Sequence, residues 1–242
     1  MFRLAVIACL CLVPVAGHAE QPVFGMMPRW ANGWGVQTQY ELEDTEDERS
    51  QLLHIEGVYT WARWIRVTYK IPFIVHGRRT GATEAERGLG TPVLALPLKK
   101  YFNHDGLSGS WSLTPHVFLP LETTDLGHSD ELAGLSASYA HETYRDAVDV
   151  GSAVHAVEGG DLEGHLTASY GRKVYFGETF GIGRVRIDGK ARRSGGYELR
   201  AGGVAYWKFT DLVHAQATVM RTVTSERFAA GTWARAGVGV VF

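Results

Sequence analysis

Residues 232–242, TWARAGVGVVF, decide the fold, because apolar residues alternate with small or polar ones up to a terminal aromatic. One parity holds Ala234, Ala236, Val238, Val240 and Phe242, and the other holds Trp233, Arg235, Gly237 and Gly239. Such an alternation predicts a β-strand with one apolar face. A terminal aromatic on that face is typical of the last strand of a bacterial outer-membrane β-barrel, which must pair with the first strand. The segment therefore predicts a barrel in the bacterial outer membrane, closed and assembled through Phe242.

The amino end has the pattern of a secretory signal peptide. Arg3 supplies a positive charge, residues 4–16 are apolar, and residues 17–19 offer small side chains at the cleavage position. This pattern predicts cleavage after Ala19. The apolar run is shorter than the roughly 18 residues that a spanning helix needs. We therefore expect residues 1–19 to be a signal peptide.

The composition of the remaining chain suits a barrel better than a soluble enzyme. The sequence contains 29 Gly, 7 Trp, 10 Tyr and 10 Phe, and beyond the signal no segment is apolar enough to span as a helix. The formal net charge of −2 gives no reason to expect a nucleic-acid partner. Both cysteines, Cys9 and Cys11, lie in the signal peptide, so the mature chain has no thiol chemistry. We expect residues 20–242 to form one outer-membrane barrel domain.

Alternation with a period of two recurs along the whole chain and predicts twelve strands. We expect them near residues 34–43, 53–59, 65–75, 91–102, 111–119, 132–141, 148–157, 162–171, 177–187, 196–207, 212–223 and 231–242. About ten residues of alternating apolar and polar character are typical of a transmembrane barrel strand. A soluble β-sandwich is the alternative, but charges in the middle of long strands argue against it. The predicted fold class is all-β: a transmembrane, antiparallel, up-and-down β-barrel of about 12 strands after a cleaved signal peptide.

The connections between these strands fall into two classes. Short turns are expected near residues 61–63, 103–109, 142–147, 172–176 and 208–211, which we assign to the periplasmic end. Longer, mostly charged loops are expected at residues 43–50, 76–90, 122–131, 158–161, 188–195 and 224–227. Short periplasmic turns and longer external loops are the usual arrangement in outer-membrane barrels.

Four prolines conflict with this pattern: Pro72, Pro97, Pro115 and Pro120. Proline has no N–H group, so within a sheet it removes a ladder hydrogen bond and is normally confined to edge strands or bulges. A closed barrel has no edge strand. We expect these prolines to mark bulges or the rims of the barrel, or to show that the predicted strands are displaced by a few residues.

The segment VYTWARWIRVTYKIPFIVH, residues 58–76, resembles a turn-and-strand block of a known outer-membrane family, the meta-pathway phenol degradation proteins. Tyr59, Arg63 and the Ile-Pro-Phe step at residues 71–73 match that block, whereas Trp61 and Ala62 depart from its usual Thr-Asp. The match implies a strand that follows a short turn.

Two further segments extend this resemblance to about residues 34–135. Gly-Leu-Gly at residues 88–90 and Lys-Tyr at residues 100–101 are similar to the next family block, although Thr91 stands where Asp is expected. Residues 113–121, LTPHVFLPL, resemble the following strand. The resemblance implies an outer-membrane barrel whose relatives look like transporters of small, often apolar compounds, and it implies no catalytic group.

A function is expected on the inner face of the barrel, because the outer face meets lipid. Strand parity places sixteen lumen-lining candidates there: Gln37, Gln39, Glu41, His54, Glu56, Arg66, Lys70, His116, His155, Glu163, His165, Glu198, Arg200, His214, Gln216 and Arg235. Both charge signs occur, so no strong cation or anion filter is expected. Eight strands are filled by their own side chains and 16–18 leave an open channel, so twelve predict a narrow or partly occluded pore. Each candidate either contacts a solute or only joins a hydrogen-bonded lumen network.

The hairpin around residues 158–161 brings two histidines together. Pairing Val157 with Glu163 would set His155 opposite His165, close enough for the imidazoles to meet. The two imidazoles and Glu163 could bind a transition metal near the external mouth, but such a histidine pair more often shares a hydrogen bond or a water. We therefore expect no metal, no catalytic residue and no cofactor.

The sequence favours an outer-membrane channel or transporter for small, apolar or aromatic solutes, and not an enzyme. The expected partners are outer-membrane lipid and lipopolysaccharide, the barrel-assembly machinery and a small-molecule solute, and the protein is expected to be a monomer. One alternative is an outer-membrane enzyme acting on lipid or lipopolysaccharide, although no Ser-His spacing marks a nucleophile. An aspartate-based outer-membrane protease would need acidic groups high in the external loops, where Asp125 and Asp130 lie, but loop acids usually serve solubility. The other alternative is a structural or interaction barrel of the cell envelope.

Overall fold

The computed structural model describes residues 31–104, 107–177 and 179–242. The predicted signal peptide, residues 1–19, and its cleavage after Ala19 lie outside the described residues. Within the described ranges the helical elements are two short 3-10 turns, Asp125–Gly127 and Glu158–Gly160. No helix in these ranges is long and apolar enough to cross a membrane.

The described residues form fourteen strand segments in one antiparallel sheet that closes on itself. The segments are β1 (Gly33–Thr45), β2 (Glu48–Ala62), β3 (Ile65–Arg79), β4 (Glu86–Leu89), β5 (Val93–Ala95), β6 (Leu98–His104), β7 (Leu107–Phe118), β8 (Glu131–Glu142), β9 (Asp146–Val157), β10 (Asp161–Phe176), β11 (Thr179–Arg192), β12 (Tyr197–Lys208), β13 (Val213–Glu226) and β14 (Gly231–Val241). The short segments β4, β5 and β6 share one position between β3 and β7. The structure is therefore a 12-stranded up-and-down barrel, and the predicted fold class is confirmed.

The last strand closes the barrel against the first, as the sequence predicts. Strands β1 and β14 pair from Gly35 with Val241 to Thr45 with Gly231. The ladder continues past β14, because the Phe242 N–H donates to the Trp34 carbonyl at 2.8 Å and the Trp34 N–H donates to the Phe242 carbonyl at 2.7 Å. Among the described strands, closure pairs the two outermost strands with each other, so neither is left as a free edge.

Side chains alternate between a buried polar inner face and an exposed apolar outer face. In β1, Gln37 and Gln39 are each 2% exposed, whereas the adjacent Val36 and Tyr40 are 39% and 40% exposed. The same outer belt includes Leu42, Leu113, Leu135, Val154, Leu166, Val185, Ile187, Val219 and Val238. An apolar outer face around a polar interior reverses the pattern of a soluble protein and is the arrangement that lipid requires.

Aromatic side chains concentrate at one end of this belt. We call this the turn end, because the β2–β3, β8–β9, β10–β11 and β12–β13 turns lie there, and we call the opposite end the loop end. Exposed aromatics at the turn end are Trp34, Trp61, Trp64, Tyr144, Tyr175, Phe176, Trp207, Phe209 and Phe242. Such girdles lie at the membrane–water interface of outer-membrane barrels. The belt and girdle together place this barrel in a bacterial outer membrane.

The interrupted position between β3 and β7 explains the prolines. The Pro72 carbonyl accepts from Gly90 N–H at 2.9 Å, and the Pro115 carbonyl accepts from Leu96 N–H at 2.9 Å. In an antiparallel ladder one residue directs its N–H and C=O to the same neighbour. The missing N–H groups of Pro72 and Pro115 therefore face the breaks between β4 and β5 and between β5 and β6, where no regular ladder bond is lost.

The other two conflicting prolines also avoid regular ladder positions. Pro97 lies in the break between β5 and β6 and accepts a hydrogen bond from Arg66 N–H at 3.1 Å. Pro120 follows the end of β7 at Phe118. The single predicted strand at residues 91–102 is thus three segments rather than one.

Two of the predicted strands end too early. Strand β10 continues to Phe176, so the turn predicted at residues 172–176 is wrong. Strand β11 continues to Arg192, through much of the loop predicted at residues 188–195. The strands extend because Lys173 in β10 and Lys190 and Arg192 in β11 keep the inward parity, whereas a run of charges in the sequence is typical of a loop.

Candidate functional site

None of the sixteen lumen candidates is exposed. The buried ones are Gln37, Gln39, Glu41, His54, Glu56, Arg66, His116, His155, Glu163, Glu198 and His214. The half-buried ones are Lys70, His165, Arg200, Gln216 and Arg235. Contact of any of them with a solute stays a prediction. Because Arg66, Glu163 and His214 are 0% exposed, the interior is narrow where they lie.

The predicted inward groups of β1, β2 and β14 bind one another. The Glu41 carboxylate accepts from Arg235 at 2.5 Å and contacts His54 Nε2 at 2.7 Å. The Glu56 carboxylate accepts from the amides of Gln37 and Gln39, the second at 3.3 Å. Buried ionic groups need such partners, since an unpaired charge away from water is costly. This side of the barrel is a hydrogen-bonded lumen network.

Strand β11 contributes a row of inward charges that the sequence reasoning missed: Arg184, Arg186, Asp188, Lys190 and Arg192. Their outward neighbours Val185 and Ile187 are 66% and 49% exposed, which fixes the opposite parity as inward. The missed signal was the strict alternation in VRIDGKAR, residues 185–192. The run of basic residues at 190–193 was instead interpreted as an external loop.

These charges are neutralised in pairs. Arg184 pairs with Asp149 across β10, and Arg186 lies 2.8 Å from Asp188. At the loop end, Arg192 bridges Asp130 and Glu163, with N···O distances of 2.6 Å to each. Paired charges agree with the expectation that the pore has no strong cation or anion filter.

The middle of the inner face of β7, β8 and β9 is different, because small uncharged side chains line it. Ser112, Thr114, Ser136 and Ser138 are buried there, together with Ala153. These residues carry no formal charge and occupy little volume. We call these residues the small-residue strip.

A cluster of histidine and glutamate side chains lies at the loop end of β8, β9 and β10. His165 Nε2 is 2.7 Å from Glu163 Oε1 and 3.4 Å from Glu131 Oε1. His155 Nδ1 forms a short hydrogen bond with Glu131 Oε1. The imidazole centroids of His155 and His165 are 4.5 Å apart. We call Glu131, His155, Glu163 and His165 the His–Glu cluster.

The register that the sequence predicted for this hairpin is wrong by two residues. His155 pairs with Glu163, and Asp161 pairs with Val157. The cause is a tight connection: Glu158–Gly160 makes a 3-10 turn with positive φ at its two glycines, so Asp161 already belongs to β10. The two imidazoles still meet as diagonal neighbours, and Glu131 of β8 joins them.

The loop between β7 and β8, residues 119–130, docks on β3 and β4. Thr91 N–H donates to the Gly127 carbonyl at 2.8 Å, and Leu126 N–H donates to Glu86 at 3.1 Å. His128 Nδ1 is 2.9 Å from Glu122 Oε1. This hydrogen bond raises the pKa of His128 and lowers the pKa of Glu122.

Fold, belt and inner face together define a transmembrane β-barrel of the bacterial outer-membrane class. No protein-family model matches the chain, and no curated protein matches it significantly. Among solved structures, the chain is similar to an outer membrane channel from Pseudomonas putida F1, with 14% identity, a TM-score of 0.68, and coverage of 93% of this chain and 100% of that one. It is also similar to the KdgM porin, with 10% identity, a TM-score of 0.54, and coverage of 86% and 99%. At these identities the similarity shows a shared barrel fold.

Proposed function

We propose that the protein is a narrow outer-membrane channel or transporter for small solutes and not an enzyme. The observation that carries this proposal is the closed wall with an apolar belt outside and a polar, ion-paired face inside. A 12-stranded wall encloses more space than the eight-stranded barrels that side chains fill completely. Its inner polar groups can replace the water that a solute loses on entry.

Support for the solute class comes from the sequence resemblance and from the lining. The resemblance to the meta-pathway phenol degradation family favours small apolar or aromatic compounds. The small-residue strip leaves room on one side of the lumen, and the pairing of charges on the other side avoids a strong field. A small aromatic acid or a short neutral sugar suits such a passage better than a large or highly charged solute.

The remaining parts of the proposal concern the surroundings of the barrel. Lipid and lipopolysaccharide contact the outer belt, and the barrel-assembly machinery recognises the strand that ends in Phe242. The protein functions as a monomer with one lumen. No nucleic acid and no cofactor takes part.

Liposome swelling with a solute series tests this function. Proteoliposomes containing the folded barrel are diluted into isotonic benzoate, a pentose, a disaccharide or a trisaccharide. We expect faster swelling with benzoate and the pentose than with the larger sugars, since the pore is narrow. Liposomes with heat-unfolded protein are the matched control.

Two results would contradict the channel. Swelling no faster than in the unfolded control, together with release of fatty acid from phospholipid or lipopolysaccharide, would support the lipid enzyme instead. The absence of both swelling and lipid turnover would support a structural barrel.

A further inference from the structure

The His–Glu cluster brings four metal-binding side chains to one point. One donor atom each from Glu131, His155, Glu163 and His165 lies within 4.8 Å of all the others. Ligands bound at 2.0–2.2 Å around a tetrahedral ion lie about 3.5 Å apart. The four donors therefore fit around one ion after small movements of side chains that already converge.

We propose that Glu131, His155, Glu163 and His165 bind one divalent transition-metal ion of the zinc or copper class. Two imidazole nitrogens with two carboxylate oxygens suit zinc, copper and nickel, whereas magnesium and calcium prefer oxygen ligands alone. The proposal goes beyond transport and replaces the sequence expectation that no metal binds. That expectation did not include Glu131, which only the pairing of β8 with β9 brings to the histidines.

His155 directs one of its two ring nitrogens into the cluster. It is 4% exposed, and its Nε2 atom is buried without a hydrogen-bond partner among the described residues. Its other nitrogen, Nδ1, points at the Glu131 carboxylate. A metal at Nδ1 would fix the proton on Nε2, beside the ring of His116, whose centroid is 4.9 Å from that of His155.

Gly134 keeps space open for these rings. A Cβ atom at this position would lie 2.4 Å from His116 Nε2 and 2.4 Å from His155 Cδ2. Both distances are far below van der Waals contact, so any larger residue would displace the imidazoles. The glycine in β8 thus allows the histidine arrangement that the metal needs.

Two cationic side chains beside the cluster affect the net charge around a bound ion. Lys190 Nζ is 3.1 Å from Glu163 Oε1, and Arg192 Nε is 2.6 Å from Glu163 Oε2. The Glu163 carboxylate is therefore shared between the cluster and these two cations. The Glu131 carboxylate is contacted by the two histidines of the cluster. We expect Glu131, His155 and His165 to provide most of the affinity, with Glu163 Oε1 as the fourth ligand. An ion here would join β8, β9 and β10 and stabilise the loop end by mass action.

Isothermal titration of zinc chloride into the purified, chelator-treated barrel tests the site. We expect one zinc ion per barrel. Affinity should fall by about tenfold or more in Glu131→Gln, in Gly134→Ala, and in the double variant His155→Ala with His165→Ala. His128→Ala is the matched control, because this histidine lies outside the cluster and its loss should leave the affinity unchanged. Heat-modifiable migration confirms that each variant is folded.

Three outcomes would overturn the site: no zinc binding by the unaltered barrel, binding that survives in the double variant, or binding lost equally in His128→Ala. Glu131→Gln keeps the side-chain shape, so it tests the charge even if the double variant fails to fold. Cobalt absorption provides a second readout, since tetrahedral nitrogen and oxygen ligation changes the visible spectrum. Permeation enters none of these measurements, so the result is independent of the proposed channel.

Discussion

The wall from β9 to β14 and the wall from β3 to β7 share one alternating sequence pattern but differ in the continuity of their hydrogen-bond ladders. Strands β10 and β11 pair without interruption from Glu163 with Arg192 to Phe176 with Thr179. Strands β3 and β5 pair over only three residues, Thr68 to Lys70. We call the first the continuous wall, although the β12–β13 ladder has one register shift between Leu199 and Arg200, and we call the second the interrupted wall. Alternation determines which face meets lipid, whereas the prolines determine where the ladder breaks.

The largest effect is expected where the continuous wall closes on β1. Phe242→Asp places a carboxylate on the outer face at the closing pair with Trp34 and alters the proposed signal for assembly. We expect little or no folded barrel in the outer membrane, measured as heat-modifiable protein. A deletion of Gly81, an exposed glycine in the loop between β3 and β4, is the control and should leave most of the yield. A normal yield of the Phe242→Asp protein would show that Phe242 is not needed for barrel closure.

The next prediction concerns the outer face of the barrel, which should meet lipid in both walls whether or not the hydrogen-bond ladder is interrupted. Val185→Arg in the continuous wall and Val67→Arg in the interrupted wall should each lower the free energy of unfolding by up to ~2–4 kcal/mol, the cost of an arginine facing mid-membrane lipid. Urea unfolding in lipid vesicles measures it. Arg66→Val is the inward control, and it should leave a folded barrel with altered permeation. Equal losses for Arg66→Val and Val67→Arg would show that the faces of β3 are wrongly assigned.

A proline exchange tests the difference between the walls directly. Ala205→Pro removes a ladder N–H in the continuous wall and should cost ~1–3 kcal/mol, because it leaves a carbonyl without its donor. Pro115→Ala in the interrupted wall restores an N–H that faces the break, and we expect stability close to that of the unaltered protein. Thermal unfolding of both variants provides the measurement. If Pro115→Ala destabilises the barrel to thermal unfolding as much as Ala205→Pro does, the proposed difference between the two walls is wrong.

The smallest effect concerns the loop that docks on the interrupted wall. The pKa of His128 is raised and the pKa of Glu122 is lowered. At a pH between these two pKa values both side chains are charged and form an ion pair. The stabilisation is fully present between the ordinary pKa values of the two groups, about 4.3 for glutamate and about 6.5 for histidine, and is lost as pH rises through the raised pKa of His128. Amide protection factors at Gly127 and Ser129 should fall slightly with rising pH. In His128→Gln they should not depend on pH, and a pH-independent result in the unaltered protein would contradict the pairing.

Parity made most of the barrel predictable from sequence. Strand segments form at each of the twelve predicted positions. Alternation of apolar and polar residues is a local property of the sequence and does not depend on the neighbouring strands. The break at β4–β6 was not predictable, because the position of Pro72 or Pro115 in the sequence does not show which neighbour its missing N–H faces.

The candidate site was predicted less completely. Local alternation placed Glu41 and His54 inside, and their hydrogen bond follows from the β1–β2 pairing. The His–Glu cluster depends on the register of one tight hairpin and on the third strand beside it, which a sequence alone does not define. The charges of β11 were missed because a basic run near a glycine resembles a loop.

A matched pair of substitutions in β8 tests the central claim, passage of solute along the small-residue strip. Ser138 is 5% exposed and lies inward, whereas the adjacent Ala137 has the outward parity and pairs with the lipid-facing Leu113. Single-channel conductance in planar bilayers should fall by half or more in Ser138→Phe, because the ring narrows the lumen, and should be unchanged in Ala137→Phe. Equal conductance in both variants, or no conductance in the unaltered protein, would contradict a solute path along this strip.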